Sequence, residues 1–399
     1  MKQRTVCILG MGYIGLPTAG ILAAKGYSVQ GVDVKKAVVD TINEGKIHIT
    51  EPDLDLFIQA AVGSGKLRAS LQPEPADIFI IAVPTPFKEG HKPDMSAVEQ
   101  AAEAIVPVLR EGNLVVLEST SPPGTCEKLI APILAKSKLT IGTDVFLAHC
   151  PERVLPGQIM KEVVENDRII GGINRESAEK AKEIYETFTK GQIFLTDATT
   201  AEMAKLVENS FRDVNIAFAN ELSFICDKLG LNVWELISLA NRHPRVNILR
   251  PGPGVGGHCI AVDPWFIVDA CPKEARLIRA AREVNDDKPN MIVNQIKTAA
   301  ERFKRPVIGL LGLAYKQDID DLRESPALHI AQAVKQLNLG EIMVCEPYCK
   351  KHAEFSLYKF EEVVKKADIL VLLVGHKQFK DVDRELLKPK IVIDACGIW

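Results

Sequence analysis

The sequence predicts an α/β protein in which two doubly wound parallel-sheet domains are joined by one long central helix. Glycine-rich turns near residues 10 and 309 each follow a short apolar run and precede a helical one, the pattern of a parallel βαβ unit. Apolar residues recur at helical spacing from about 199 to 229. We therefore expect domains at 1–198, 199–300 and 301–399, of which the central one is helical.

Length, charge and cysteine usage limit the possible functions. The 399 residues exceed what one hydrophobic core usually serves. With 49 basic and 52 acidic residues, the net charge of −3 gives no reason to expect nucleic acid or a membrane surface as partner. The nine scattered cysteines form no CxxC pair, which predicts no structural metal and a reducing, cytoplasmic setting.

The first domain opens with a nucleotide-binding pattern. The uncharged run from Val6 to Ala24 superficially resembles a membrane span, but its glycines and Pro17 predict a strand at 5–9, a GxGxxG turn and a helix. In this turn Gly10 allows the tight bend, Gly12 lets the backbone approach a pyrophosphate and Gly15 lets the helix pack on the strand.

A second strand, at 28–32, ends at Asp33, which is placed to accept hydrogen bonds from a ribose and to repel a 2′-phosphate. The pattern therefore predicts NAD rather than NADP. The alternative is a glycine-rich turn without a ligand.

Further buried strands are predicted at 78–83, 114–118 and 145–148, with helices at 96–109 and 127–135. Each strand is followed by a loop rich in proline and polar residues, at 84–86, 119–124 and 149–153. Ligands of open α/β sheets bind beyond the carboxyl ends of the strands, so these loops are expected to converge on the cofactor. Rigid proline turns are the alternative explanation for single residues.

The central region begins with a helix over 199–229 whose apolar stripe predicts either core or a subunit interface. The stripe consists of Val207, Phe211, Val214, Phe218, Leu222, Ile225 and Leu229. Lys205, Asn209 and Arg212 form a polar stripe near the helix start, which spacing alone does not distinguish from a solvated face.

A glycine-rich loop from Arg250 delivers Cys259, and Asp263 follows four residues later. Four glycines within six residues carry a high entropic cost, which favours a loop that wraps a ligand. The thiol is either a small buried hydrophobe or a nucleophile activated by Lys205 or a helix terminus.

The last domain repeats the first pattern. Strands are predicted at 306–311, 341–345, 369–374 and 391–394, and helices at 326–337 and 359–366. Glu346 occupies the position that Asp33 holds in the first domain. Two Rossmann-like units imply two nucleotide ligands with a reacting group between them.

Taken together, these segments resemble the UDP-glucose/GDP-mannose dehydrogenase family over essentially the whole chain. The resemblance rests on GMGYIGLPTA at 10–19, AVPTPF at 82–87, ESTSPPGT at 118–125, CPERVLPG at 150–157, ENSFRDVNIAFANEL at 208–222, ANRHPRVNIL at 240–249, PGPGVGGHCIAVDPWF at 251–266 and DDLRESPA at 320–327. Val262 stands where the glucose branch usually has lysine, so the chain looks like the N-acetylmannosamine branch.

The resemblance implies NAD-dependent four-electron oxidation of a UDP-N-acetylhexosamine, UDP-N-acetyl-D-mannosamine in particular, through a thiohemiacetal and a thioester on Cys259. It also implies a homodimer and a role in making surface polysaccharide precursors. The implied catalytic residues are Cys259, Lys205, Asp263, Asn209, Glu152 and Thr120. The implied NAD residues are Gly10, Gly12, Tyr13, Ile14, Gly15, Asp33, Thr85, Thr120 and Arg323. The implied substrate residues are Arg153, Val154, Lys205, Asn209, Arg212, His243, Arg245, Gly256, Tyr315 and Lys316.

The chain departs from the family pattern at one position, and alternative substrates and functions are open. Relatives commonly carry a basic residue in the C-terminal stretch, where this chain has Cys396, so substrate preference is open. UDP-N-acetylglucosamine or UDP-glucose are alternative substrates. A two-electron β-hydroxyacid dehydrogenase needs neither the Cys259 loop nor the last domain, and a silent NAD-binding regulator is expected to lose Lys205 or Cys259.

Overall fold

The computed structural model describes residues 4–155, 157–257 and 259–399. The chain divides into two compact units, Met1–Glu208 and Asn209–Trp399. No helix of the described chain combines the length and apolarity that crossing a membrane requires. The three-domain division by sequence stays a prediction.

The first unit is built on an eight-stranded sheet with the order β10-β9-β8-β7-β4-β1-β2-β3. The strands of this unit, including a small hairpin of β5 and β6, are β1 Thr5–Leu9, β2 Ser28–Val32, β3 Leu67–Ser70, β4 Ile78–Ile81, β5 Phe87–Lys88, β6 Lys92–Pro93, β7 Leu114–Leu117, β8 Phe146–His149, β9 Arg168–Gly172 and β10 Ile193–Asp197. All neighbours in the large sheet are parallel except β8 and β9. The parallel-sheet prediction is therefore confirmed, with one antiparallel step that the sequence did not reveal.

Helices cover both faces of this sheet and enclose two apolar cores. They are α1 Gly15–Ala24, α2 Lys36–Asn43, α3 Leu54–Gly63, α4 Ser96–Ile105, α5 Ala131–Leu134, α6 Ile159–Glu165 and α7 Arg175–Tyr185, with a π-helical turn at Cys126–Ile130 before α5. Alternate residues of one strand enter opposite cores: Ile8 lies in one, and Cys7 and Leu9 lie in the other. This alternation explains why each strand reads as a continuous apolar run.

The predicted long helix is confirmed as α8, Ala198–Leu229. Its apolar stripe is not core, however, because Phe211 is 72% exposed and Phe218 is 52% exposed. The buried face of α8 instead combines small or apolar residues with polar ones, which include Asp213 and Asn220, both fully buried.

The second unit contains a four-stranded parallel sheet with the order β12-β11-β13-β14. Its elements are β11 Val307–Leu311, β12 Glu341–Cys345, β13 Ile369–Leu372, β14 Ile391–Asp394, α9 Val233–Ala240, α10 Asp263–Ala270, α11 Arg276–Ala300, α12 Pro326–Leu337 and α13 Phe360–Lys366. The second predicted sheet is thus confirmed, with strand ends shifted by no more than two residues. Helix α11 was not predicted.

Polar residues of α11 form hydrogen bonds with buried polar residues of α8. Arg282 is 1% exposed and donates to Asp213 at 2.6 Å. Asn285 donates to the same carboxylate at 2.8 Å, and its carbonyl oxygen accepts from Asn220. A buried charge is tolerated only when it is paired and hydrogen-bonded, so these two faces specify each other.

Candidate active site

The first glycine turn has the geometry of a phosphate cradle. Gly10 has φ 95°, and a Cβ there would lie 2.4 Å from the carbonyl oxygen of Ala82, so both the bend and the close approach require glycine. A Cβ on Gly12 would meet no protein atom within 4 Å. Helix α1 has neither an acidic residue in its first turn nor a side-chain cap, so its N-terminal dipole suits a phosphate.

Asp33 follows β2 and lies beside this turn. Its carboxylate accepts the N–H of Met11 at 3.2 Å and the N–H of Lys35 at 2.9 Å. The side chain is half-buried rather than enclosed. The same carboxylate therefore stabilises the glycine turn and presents an edge suited to a ribose diol.

The loops after β4, β7 and β8 lie along one edge of the sheet, because these strands are adjacent and parallel. Thr85 and Thr120 are half-buried in the first two loops, and Tyr13 and Ile14 lie in the turn after β1. The hydroxyl of Ser119 donates to the carbonyl of Val83 at 2.8 Å. The structure thus assembles the predicted NAD residues of this unit beyond the carboxyl ends of neighbouring strands.

Glu152, a predicted acid/base, is held by a residue that sequence reasoning missed. Arg168 is 4% exposed and donates to Glu152 at 3.0 Å. The other oxygen of Glu152 accepts the N–H of Arg153 at 2.8 Å. Both oxygens are therefore engaged, and the acid/base role of Glu152 stays a prediction.

A second buried acid, Glu118, lies in the same network. Its carboxyl accepts the hydroxyl of Tyr185 at 2.7 Å, and its other oxygen has no hydrogen-bond partner. Burial, reinforced by the charge of Glu152, raises the pKa of the Glu118 carboxyl to about 7. In the sequence, the apolar strand that precedes Glu118 indicates that this residue is buried.

Other substrate residues predicted in the first unit are partly engaged. Arg153 forms an ion pair with Glu208 at 2.8 Å and also donates to the carbonyl of Asp167. Val154 is half-buried beside it. Lys205 is half-buried on α8.

In the second unit, predicted catalytic residues meet around α10. Asn209 is one turn beyond Lys205 on α8 and donates to Asp263 at 2.5 Å. The carbonyl of Cys259 accepts the N–H groups of Val262 at 3.0 Å and Asp263 at 2.9 Å, which closes the turn into α10. The Cys259 residue is exposed.

The glycine loop before Cys259 packs against the turn after β11. A Cβ on Gly256 would lie 2.5 Å from the carbonyl oxygen of Glu324 and 2.9 Å from the Cβ of Tyr315. One on Gly257 would lie 2.9 Å from the Tyr315 ring. These glycines are therefore needed for close packing, which brings the predicted nucleotide-contacting Tyr315 to the cysteine loop.

Glu346 and Asp33 occupy equivalent positions but differ in environment. Glu346 is 4% exposed and accepts the N–H groups of Leu313 at 2.6 Å and Ala314 at 3.0 Å. The ring of His376 lies 3.2 Å from the same oxygen. Glu346 thus stabilises the second glycine turn from inside the protein, whereas Asp33 also reaches its surface.

The remaining predicted residues lie on the surface of the second unit. His243 and Arg245 form an exposed turn after α9, in which the His243 ring accepts the Arg245 N–H at 3.3 Å. Lys316 and Arg212 are exposed. Arg323, predicted near NAD, donates to Asp321 at 2.6 Å.

The C-terminal stretch contains an arginine contact that sequence reasoning missed. Arg250 donates to the carbonyl of Gly397 at 2.8 Å, and its guanidinium lies 5.2 Å from the ring centroid of Trp234. Burial raises the pKa of the Cys396 thiol well above its usual range. Arg250 thus brings a basic side chain to the C-terminal stretch, where Cys396 stands at the position that the family resemblance predicts to be basic.

One described group of metal-ligand type side chains is fully buried in the first unit: Cys126, His149 and Glu202, with ligand atoms within 4.8 Å of one another. Glu202 already accepts backbone N–H groups, from Gly124 and, at 2.8 Å, from Cys126. The spacing in sequence, from 126 to 202, gave no sign of this cluster.

The chain matches the UDP-glucose/GDP-mannose dehydrogenase family in three consecutive regions. These are the NAD binding domain at residues 4–189, the central domain at 199–287 and the UDP binding domain at 309–399. The predicted cofactor, NAD, is confirmed by the first match, and the last match shows that the sugar substrate carries UDP.

Individual relatives are similar over their full length. The NDP-N-acetyl-D-galactosaminuronic acid dehydrogenase of Ralstonia nicotianae is 57% identical over 99% of this chain and 96% of its own. The UDP-N-acetyl-D-mannosamine dehydrogenase of Escherichia coli is 53% identical over 100% of both chains. The solved structure of the UDP-D-ManNAc dehydrogenase from Pyrococcus horikoshii is 42% identical, with a TM-score of 0.91 over 99% of this chain and 96% of that one. The chain therefore belongs to the UDP-glucose/GDP-mannose dehydrogenase family of NAD-dependent enzymes.

Proposed function

We propose that the protein oxidises C6 of UDP-N-acetyl-D-mannosamine from alcohol to carboxylate, in the cytoplasm, to make a precursor of surface polysaccharide. The observation that carries the chemistry is the exposed Cys259 at a turn whose Asp263 is hydrogen-bonded to Asn209. The relative from E. coli, 53% identical, supports the sugar. A catalytic thiol must stay reduced, which supports the compartment.

The reaction consumes one alcohol, one water and two NAD⁺, and yields one carboxylate, two NADH and three protons. NAD, when bound at the first glycine turn, accepts the hydride of each oxidation step. The C6 hydroxyl loses its proton to a base as the aldehyde forms, and the thiol of Cys259 then adds to the aldehyde carbon. Oxidation of this thiohemiacetal gives a thioester, whose C–S bond is broken by water to release the carboxylate and the thiol.

We assign the remaining roles by chemistry. Lys205 exchanges a proton with the C6 oxygen and stabilises oxyanions by its charge. Asn209 donates to the same oxygen, and Asp263 and Thr120 orient the attacking water. Glu152, whose carboxylate Arg168 binds, is assigned as an acid/base that assists proton transfer.

UDP-N-acetyl-D-galactosamine, which differs from UDP-N-acetyl-D-mannosamine at both C2 and C4, is the second candidate substrate, because the Ralstonia relative named for N-acetylgalactosaminuronic acid is 57% identical. We expect NADH absorbance to rise fastest with UDP-N-acetylmannosamine in a panel that also contains UDP-N-acetylgalactosamine, UDP-N-acetylglucosamine and UDP-glucose. A faster reaction with another of these sugars would reassign the substrate while leaving the family chemistry in place.

The four-electron mechanism is tested by stoichiometry. Wild-type enzyme should form two NADH per sugar. Cys259→Ala should lose steady turnover by about three orders of magnitude or more, because no thioester can form. Cys271→Ala, which also removes an exposed thiol, is the matched control and should keep wild-type activity. Release of an aldehyde after one NADH would contradict the mechanism and favour β-hydroxyacid-type chemistry.

We also propose that the protein is a homodimer that buries the apolar stripe of α8. Five of the seven stripe residues are at least 46% exposed, including Leu229 at 64%. A contiguous apolar surface of this kind usually marks a subunit interface.

A further inference from the structure

Glu202 is a fully buried carboxylate that the proposed mechanism does not use. It lies in the second turn of α8 and accepts hydrogen bonds from the backbone N–H groups of Gly124 and Cys126. The Cys126 thiol also donates to it, and burial beside Glu202 raises the pKa of that thiol well above its usual range. Backbone N–H groups and a thiol from the segment 124–126 thus converge on one carboxylate.

Among the described residues, this carboxylate is bound by N–H groups and a thiol rather than by a cation. His149 belongs to the same cluster, but burial lowers its pKa to about 3, so the ring is neutral. Charge-assisted hydrogen bonds from backbone N–H groups are short and strong, and here they oppose the burial that raises the pKa of the Glu202 carboxyl above its usual value. The two N–H groups bind different oxygens of Glu202, and an amide, which offers one oxygen, cannot keep both bonds in this arrangement.

The bonds from Gly124 and Cys126 tie two parts of the first unit together. One part is the loop at 119–124 that contains Thr120, and its other end is anchored where the hydroxyl of Ser119 donates to the carbonyl of Val83. The other part is the start of α8, where Lys205 follows Glu202 by three residues. Moving the carboxylate would therefore move Thr120 relative to Lys205.

We propose that Glu202 is a positioning residue that sets the distance between the Thr120 loop and the helix that carries Lys205. This inference rests on the proposed function, which gives Thr120 and Lys205 their roles. Glu202 itself is fully buried, so the proposal has it act through these two elements rather than on the substrate. Because misplacement by about 1 Å is enough to slow catalysis about a hundredfold, the effect belongs on the chemical step rather than on sugar binding.

The decisive variant is Glu202→Gln, which keeps the size of the side chain but replaces one acceptor by a donor. We expect kcat to fall about 10- to 100-fold, while KM for the sugar changes by less than about threefold. The primary isotope effect measured with substrate deuterated at C6 should increase, because the hydride step becomes more rate-limiting. NAD should bind more weakly, by about fivefold in isothermal titration, through the displaced Thr120 loop.

Two controls separate positioning from other roles. Glu221→Gln makes the same change on an exposed face of the same helix and should leave every parameter unchanged. Cys126→Ala removes the thiol but keeps both backbone N–H groups, so it should keep most of the activity. If Cys126→Ala lost as much activity as Glu202→Gln, the thiol or a cation bound by the cluster would carry the effect, and the proposal would be wrong.

The remaining outcomes of the Glu202→Gln experiment also test the proposal. A folded Glu202→Gln enzyme with wild-type kcat and isotope effect, or one in which only the sugar KM rises, overturns the proposal. If Glu202→Gln does not fold, Glu202→Asp, which keeps the charge on a shorter side chain, should show the same loss of kcat. Failure of both variants to fold would assign Glu202 to stability alone.

Failure of the proposed function can be distinguished from failure of the Glu202 proposal. If wild-type enzyme oxidised none of the UDP-sugars, the proposed reaction would be wrong. Weaker NAD binding by Glu202→Gln than by Glu221→Gln would still report the displaced Thr120 loop, since that titration contains no sugar.

Discussion

At the residue scale, the same acidic position serves different purposes in the two glycine turns. Asp33 is half-buried and accepts from backbone N–H groups with its surface edge still facing outward. Glu346 is enclosed, and the ring of His376 lies 3.2 Å from one of its oxygens. Exposure, which the sequence does not encode locally, distinguishes a ligand acceptor from a structural one.

Replacing Asp33 by alanine should weaken NAD binding by about tenfold and reduce discrimination against NADP, because the ribose acceptor and its repulsive charge disappear together. Isothermal titration with both cofactors measures this. Asp40→Ala, on the exposed face of the following helix, is the control. Unchanged affinity for both cofactors would refute the assignment of Asp33.

Lys205→Ala should reduce kcat by about 10²- to 10⁴-fold while changing KM for the sugar much less, as expected for a group whose interaction strengthens in the transition state. Steady-state kinetics with the preferred sugar gives both parameters. Lys228→Ala, in the exposed last turn of the same helix, should behave as wild type. A loss confined to KM would instead make Lys205 a substrate-binding residue.

The buried Glu118 should make stability depend on pH. Burial raises the pKa of its carboxyl from 4.5 to about 7 in the folded protein, so folding favours the protonated acid. The stabilisation is complete below the unfolded pKa and is lost as pH rises from 4.5 through about 7.

We therefore expect Glu118→Gln, which mimics the protonated acid, to melt at a higher temperature than wild type at pH 8 and to gain less advantage at pH 5. Thermal unfolding across this range measures the difference. Equal melting curves at both pH values would mean that Arg168 keeps Glu118 ionised in the fold.

At the element scale, α8 buries several polar side chains while most of its apolar stripe is exposed. The buried polar residues bond to Arg282 and Asn285 of α11, and five residues of the stripe are exposed. The polar contacts specify one register between the two helices, because breaking any buried pair leaves an unsatisfied charge or amide. The exposed face remains available to a partner.

Phe211→Asp should therefore convert a dimer to a monomer, since it places a charge within the apolar stripe at a position that is 72% exposed. Light scattering or sedimentation measures the mass. Leu337→Asp, at a residue of α12 that is 45% exposed, should leave the dimer intact. A wild-type protein that is an active monomer would contradict the homodimer.

At the scale of the whole molecule, two glycine turns in two sheets imply two independent nucleotide sites. NAD and UDP at about 100 times their dissociation constants should each stabilise the folded protein by about 2.7 kcal/mol. In Asp33→Ala, the melting temperature should still rise with UDP but much less with NAD. If that variant lost both responses, the two nucleotides would share one site or the fold would be damaged.

The sequence by itself determined both sheets, the long helix, the NAD turn and the chemistry-bearing Cys259 loop, because apolar runs, glycine spacing and helical periodicity are local properties of the chain. It did not determine the antiparallel step at β9, the exposure of the α8 stripe, or the partners of Glu152 and Glu202. Strand β9 pairs antiparallel with β8, and α11 packs its polar residues on α8. Glu152 is bound by Arg168, and Glu202 is bound by the N–H groups of Gly124 and Cys126. Only the tertiary structure decided these features, because burial and hydrogen bonding join residues that are distant in sequence, and no local pattern records which distant group arrives.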